Sequence, residues 1–149
     1  MSQQFVVNNT RERERLHNLV NNITDKELTI TLYEEGWTIA VALAHLAYWD
    51  NRRLVLVRKW KQEGVTPTPI IDMDITNDTL IPFLLAIPPR KAAELAILMA
   101  EVLDHELEEA SPELIAAIEA LGERHALDRS IHRKMHLDEI EALLRTKRP

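Results

Sequence analysis

The stretch AVALAHLAYWD, Ala40 to Asp50, lies in a segment that is apolar on nearly every side when it is read as a helix. Thr38 is a suitable N-cap, and the predicted helix runs to about Lys61, before Gly64. Because a helix that is apolar all round must be enclosed by other elements, this segment predicts the central helix of a helical domain. His45 interrupts the run, and a buried imidazole without a partner costs about 1–3 kcal/mol. The rest of the sequence has to supply that partner.

The remainder of the chain is also predicted to be helical. It has only three glycines and no sustained alternation of apolar and polar residues, and 149 residues with 46% hydrophobic content suit one domain over residues 1–149. We expect an all-α fold, a four-helix bundle with a long crossover connection between helices 2 and 3 and a short extra helix before the last. The predicted helices are Thr10–Ile23, Thr38–Lys61, one starting at Pro88 and Pro89, Ser111–Gly122 and His125–Arg145, with a short one at Thr79–Ala86 inside the crossover.

The third main helix carries an apolar stripe at helical spacing. Its members are predicted to face the core. They are Leu95, Leu98, Met99, Val102 and Leu103.

Charge and composition exclude several classes of function. A net charge of −6 without a basic patch disfavours nucleic acid and anionic membrane as partners. The N-terminus has no secretory h-region and the longest apolar run, Ile39 to Trp49, is about half a membrane span, so we expect a cytoplasmic protein. The chain has no cysteine. A nucleophilic sulfur would therefore have to arrive as a bound cosubstrate.

A histidine pair near the C-terminus supplies the chemistry. In SIHRKMHLDEIEALL, His132 and His136 are one helical turn apart, and the apolar residues Ile140 and Leu143 continue their stripe. Two imidazoles so placed can share a metal ion at about 2.0–2.1 Å. His45 is the natural third ligand. A hydrogen-bonded core histidine is the commoner role for such a residue taken alone, but the three together favour a metal.

Other metal schemes fit less well. A zincin needs a glutamate after the first histidine of the pair, where Arg133 stands. The only Glu-x-x-His pair of the kind used in ferritin-like di-iron sites is Glu14 with His17, on a solvated helix. His17, His105 and His125 are expected at the surface or at helix ends.

Three further residues are secondary candidates. Arg129 precedes His132 by one turn on the same face and could hold a substrate carboxylate, although a salt bridge at the rim is the commoner role. Tyr48 and Trp49 could line a pocket, although core packing also explains them. No Gly-rich phosphate loop and no Ser-His-Asp arrangement is visible.

Two motifs resemble the DinB-like superfamily of small four-helix-bundle metalloproteins. They are GWTIAVALAHLAYWD and DRSIHRKMHLDEIEALL, and the similarity covers nearly the whole chain. The resemblance implies a divalent metal, usually zinc or nickel, on His45, His132 and His136. It also implies, from characterised relatives, an S-transferase or isomerase that depends on a low-molecular-weight thiol such as glutathione, mycothiol or bacillithiol.

Two classes of function therefore remain open. We expect a metal-dependent enzyme acting on a small molecule, by thiol transfer or, second, by metal-assisted hydrolysis. The alternative is a non-catalytic bundle in which the histidine or metal site is structural and the helices serve association, for instance as a homodimer. A fourth protein ligand such as His17, His105 or Asp104 would favour the structural reading.

Overall fold

The computed structural model describes residues 3–34, 36–123 and 125–149. Within these ranges the regular structure is helical, apart from one isolated β-bridge between Thr31 and Thr38. The all-α prediction is therefore confirmed. The helices are α1 (Gln4–Asn22), α2 (Asp25–Leu28), α3 (Ile39–Glu63), α4 (Met73–Leu85), α5 (Pro89–Glu108), α6 (Pro112–Glu119) and α7 (Ser130–Lys147).

The four long helices α1, α3, α5 and α7 pack as a bundle. Helix α3 contacts α5 and α7, and α1 contacts the same two helices from the other side. The short helix α4 packs against α3, and α2 contacts α3 and α5. No helix in the described ranges is both long enough and apolar enough to cross a membrane.

Helix α3 is the central helix, as its sequence predicts. The Thr38 side chain accepts a hydrogen bond from the backbone N–H of Val41, and the helix ends at Gly64, whose φ of 95° suits glycine. Every residue from Ile39 to Ala47 is buried. His45 therefore sits inside the core rather than on a solvated face.

Helix α5 buries only part of the predicted stripe. Leu103 is buried as predicted, but Leu98 is 48% exposed, and the other stripe residues are half-buried, namely Leu95, Met99 and Val102. Most of the other buried residues of α5 are alanines. Small side chains let α5 approach α3 closely, so burial selects the alanine face over the leucine face. The buried residues of α5 are Ala92, Ala93, Ala96, Ala100, Leu103, Asp104 and Leu107.

Helix α1 begins at Gln4, six residues before the predicted start at Thr10. The first two turns were not recognisable as amphipathic because their inward face contains a buried asparagine, Asn9, next to the buried Phe5. Polar residues on that face are satisfied by specific partners rather than by water.

Helix α7 begins at Ser130, not at the predicted His125. The Asn9 side-chain oxygen accepts hydrogen bonds from the backbone N–H groups of Arg129 (2.7 Å) and Ser130 (3.0 Å). Asp128 accepts from the Ser130 N–H at 3.1 Å. These acceptors satisfy donors that are left free at the first turn of a helix, and so they define where α7 starts.

Two elements between the long helices are more ordered than expected. Helix α4 starts at Met73, six residues before the predicted Thr79, because the Asp72 carboxylate accepts from the Ile75 N–H. Pro82 lies inside this helix rather than ending it. The segment after α1 contains α2, which begins with a reciprocal capping box between Thr24 and Glu27.

Candidate metal centre

Three imidazole rings meet between α3 and α7. The Nε2 atom of His132 lies 3.1 Å from Nε2 of His45 and 3.2 Å from Nε2 of His136. One ring nitrogen of each residue lies within 4.8 Å of the other two. His45 is 4% exposed and His136 is 5% exposed, while His132 is half-buried. The structure thus brings together the three residues that the sequence singles out.

Hydrogen bonding between the rings cannot satisfy this arrangement. The Nε2 atom of a neutral imidazole is either a donor with one proton or an acceptor with one lone pair. His132 Nε2 can therefore make one of its two close contacts as a hydrogen bond, but not both. A cation accepting the lone pairs of all three nitrogens would satisfy every contact at once.

The spacing of the nitrogens suits a first-row divalent cation. Nitrogens bound at about 2.0–2.1 Å with tetrahedral angles lie about 3.3 Å from one another. The contacts of 3.1 and 3.2 Å are close to that value. Neutral imidazole is also a ligand that zinc and nickel both accept. The three residues therefore fit a metal ion by distance and by donor type.

Electrostatics keep the rings neutral and their lone pairs free. Burial, followed by the neighbouring His136, lowers the pKa of His45 to about 3. Burial and the charges of His136, His45, Arg129 and His125 lower the pKa of His132 to about 2. The pKa of His136 is also lowered by burial. At neutral pH the site is ready to bind a cation without first losing protons.

Tyr33 orients the His136 ring. Its hydroxyl oxygen lies 2.9 Å from His136 Nδ1. When His136 Nε2 offers its lone pair to a metal, Nδ1 carries the proton and donates to that hydroxyl. Burial and the Glu139 carboxylate raise the pKa of Tyr33, so the phenol stays protonated. Tyr33 was not predicted as a site residue, because it lies in a non-helical segment just before the GWTIAVALAHLAYWD motif and has no spacing rule that links it to His136.

Aromatic rings surround His45. Trp37 packs edge-on against its imidazole with 5.1 Å between ring centroids, and Trp49 does so at 6.4 Å. His45 Nδ1 has no hydrogen-bond partner among the described residues. These rings exclude water from one side of the site and raise the strength of charge interactions inside it.

Arg129 lies in an ion pair. Its Nε is 3.0 Å from the Asp50 carboxylate, its Nη1 donates to the His125 carbonyl oxygen, and the residue is 5% exposed. Two of its donor atoms are therefore engaged within the protein. The proposal that it holds a substrate anion would require a third donor atom, Nη2, to reach the ligand.

Arg133, at the position where a zincin carries glutamate, is 1% exposed and points into the core. It donates to Asp50 on α3 at 3.0 Å and to Asp104 on α5 at 2.9 Å. Arg13 of α1 also binds Asp104. This network joins all four long helices and fixes the rotation of α7 that turns its histidines toward His45. The sequence feature that could have indicated this network is Asp50, a charged residue directly after the apolar run.

The other histidines lie outside the cluster. His17 contacts Glu101 at 2.6 Å, and His105 and His125 are exposed. Asp104 is engaged by arginines. Among residues 3–34, 36–123 and 125–149, the metal-ligand group consists of three histidines without a fourth protein donor.

The chain matches a known protein family. The family model described as the DinB superfamily matches residues 9–144, which includes every residue of the histidine cluster. Neither the curated proteins nor the solved structures contain a match to the chain.

Proposed function

Since the chain belongs to the DinB superfamily, we propose that it is an enzyme that uses a divalent metal ion, zinc or nickel, to act on a small molecule. One observation carries the proposal: three neutral imidazole nitrogens, from two helices, lie within 4.8 Å of one another in the core. A cation between the three nitrogens would satisfy the close contact that hydrogen bonding between the rings leaves unmet.

Three protein ligands favour catalysis over a purely structural metal. Structural zinc sites are closed by four protein ligands, whereas catalytic sites keep a position for water or substrate. The described part of the chain supplies no fourth donor to the cluster. The residue His132 is half-buried whereas His45 and His136 are buried, so a ligand would approach from the side of His132.

The reaction that we favour is the transfer of a low-molecular-weight thiol to an electrophile. A divalent cation in this site would lower the pKa of a bound thiol or water toward neutrality, which supplies the nucleophile that a chain without cysteine lacks. Tyr33 holds His136 in the tautomer that offers its Nε2 lone pair. Trp37 and Trp49 keep bulk water from His45. Metal-assisted hydrolysis is the second candidate.

Metal analysis of protein purified without a histidine tag tests the proposal. We expect about one zinc or nickel ion per chain, complete reloading after chelation, and loss of the metal in His132→Ala. His125→Ala is the matched control, because His125 is exposed and outside the cluster. A wild-type protein that cannot be reloaded would contradict the metal assignment.

A screen of thiols against electrophiles, with and without metal, then tests the chemistry. Turnover that requires both metal and thiol supports transfer, while turnover with water alone supports hydrolysis. If the metal changes only the melting temperature, the site is structural and the bundle serves association, with a homodimer as the first arrangement to examine.

The cytoplasmic location remains a prediction.

A further inference from the structure

Arg53 on α3 is a half-buried cation with an incomplete set of partners among residues 3–34, 36–123 and 125–149. Its side chain is 14% exposed, and its Nη1 atom, which is itself buried, has no hydrogen-bond partner in that part of the chain. Glu123, in the segment between α6 and α7, has a carboxylate oxygen 3.7 Å from Nη1, which is too far for a hydrogen bond. A buried charged donor without an acceptor is costly, so this guanidinium requires an additional anionic or polar partner.

Among the described charged residues that shift the pKa of Arg53, two are cations and one is an anion. Burial and the nearby cations Arg129 and Arg52 lower its pKa to about 10, against the opposing effect of Glu123. The charge of Arg129 is met by Asp50, which also serves Arg133. Arg133 also binds Asp104, so both of these buried carboxylates are engaged by other arginines. An anion bound near Arg53 would add the negative charge that Glu123 supplies only from 3.7 Å.

We propose that Arg53 forms a second binding site that takes the carboxylate or phosphate group of a small anionic ligand. The Arg53 guanidinium carbon lies 5.9 Å from the centroid of the Trp60 ring, a cation–π contact that does not use the N–H donors of the guanidinium. Planar guanidinium groups held on aromatic rings suit bidentate recognition of oxyanions.

The Glu123 carboxylate lies where the anionic group of the ligand would bind. Its side chain is 41% exposed, so it can leave the guanidinium at little cost. An incoming anion would form the hydrogen bond to Nη1 that Glu123 does not make. The site uses none of the three histidines, so its test does not depend on whether the protein binds a metal.

Thermal denaturation of the full chain tests the site. The protein is first stripped of metal, so that an anion cannot bind a metal ion, and phosphate or acetate is added at constant ionic strength in chloride buffer. At ten times its Kd, a ligand raises the midpoint of a chain of this size by about 4 °C. We expect this rise for the wild type, and no rise for Arg53→Gln.

Two further variants make the test decisive. Glu123→Gln removes the competing carboxylate and should give the same rise at an anion concentration at least threefold lower. Arg58→Gln is the control, because Arg58 is an exposed arginine on the same helix and should respond as the wild type does. A response to phosphate alone identifies a phosphate site, one to acetate alone a carboxylate site, and one to both a general oxyanion site.

An unresponsive wild type overturns the proposal, and so does an equal response in Arg53→Gln. If Arg53→Gln does not fold, Glu123→Gln decides alone. A gain in anion response supports the site, whereas destabilisation without such a gain shows that Arg53 and Glu123 form only a structural ion pair.

Discussion

The Nε2 atom of His45 lies 3.1 Å from the Nε2 atom of His132, although 87 positions separate the two residues in the chain. The contact joins the central helix to the last one. A metal ion at this point would also act as a cross-link between distant parts of the chain. Its removal should therefore be visible in stability as well as in activity.

Replacing His45 with alanine should reduce metal affinity at least 100-fold, although the pair on α7 remains. The two remaining imidazoles leave the cation one nitrogen short of the three that the cluster offers, and the loss of a ligand weakens binding. Competition against a fluorescent chelator measures the affinity. His105→Ala, an exposed histidine on α5, should bind as the wild type does, and equal affinities for the two variants would remove His45 from the site.

Tyr33→Phe should weaken metal binding by about 10- to 100-fold, because His136 Nδ1–H loses its acceptor. The loss should come with little change in the midpoint of thermal unfolding of the metal-free protein. Tyr48→Phe removes a hydroxyl from a half-buried tyrosine that contacts Trp49 and should leave the affinity unchanged. Retention of full affinity in Tyr33→Phe would show that the hydroxyl does not orient the ring.

The metal-free protein should lose stability as the pH falls below about 6.5. The pKa of His45 is about 3 and that of His132 about 2 in the folded state, whereas unfolded histidines titrate near 6.5. Below that pH the unfolded chain binds protons that the folded chain does not. The free energy of unfolding then falls by up to about 1.4 kcal/mol per pH unit for each ring.

Urea unfolding between pH 7.5 and 4.5 measures this slope. Carboxylates contribute to it as well, so the difference between the wild type and His132→Asn is the relevant quantity. The variant should show a shallower decline. Identical slopes would mean that His132 takes up its proton in the folded state.

Arg133→Met should destabilise the protein by about 3 kcal/mol or more, because it leaves Asp50 and Asp104 buried with fewer cations. Arg129 and Arg13 still bind these carboxylates, which places the cost at the lower end of the usual range. Arg58→Met, at a 53% exposed side chain, is the matched control and should cost less than about 0.5 kcal/mol. Chemical denaturation distinguishes the two.

Ala96→Leu should destabilise the bundle by about 1–3 kcal/mol, because Ala96 is 1% exposed on the face of α5 that packs in the core. Leu98→Ala, at an exposed position two residues away, should change stability by less than about 0.5 kcal/mol. A larger loss of stability in Leu98→Ala than in Ala96→Leu would show that the leucine stripe is the buried face.

The sequence was sufficient to predict the helical class, the central helix and the three histidines. Local signals carry this information: the cap at Thr38, the continuous apolar run and the spacing of His132 and His136. The buried face of α5 was not predictable from hydrophobicity alone. Its choice depends on how closely α3 approaches, which is a property of the pair of helices rather than of either one.

The surroundings of the histidines depend on long-range contacts in the same way. Tyr33 is 103 positions from His136, and Asp50 is 79 positions from Arg129. Neither pairing has a local spacing rule. Arg129 was singled out by its place on the histidine face, but only the fold shows that Asp50 engages its guanidinium.

Asn9 touches none of the candidate ligands, yet its amide oxygen defines the first residue of α7 and hence how far His132 and His136 stand along the bundle axis. The position of the histidine cluster along the bundle thus depends on a residue of the first helix. A survey of candidate relatives that compares only histidine motifs would overlook this dependence. Such sequences can be sorted by whether an asparagine or glutamine occupies the position of Asn9 in the first helix. Chains with that amide can hold their histidines in the same arrangement, whereas chains without it share only the histidines.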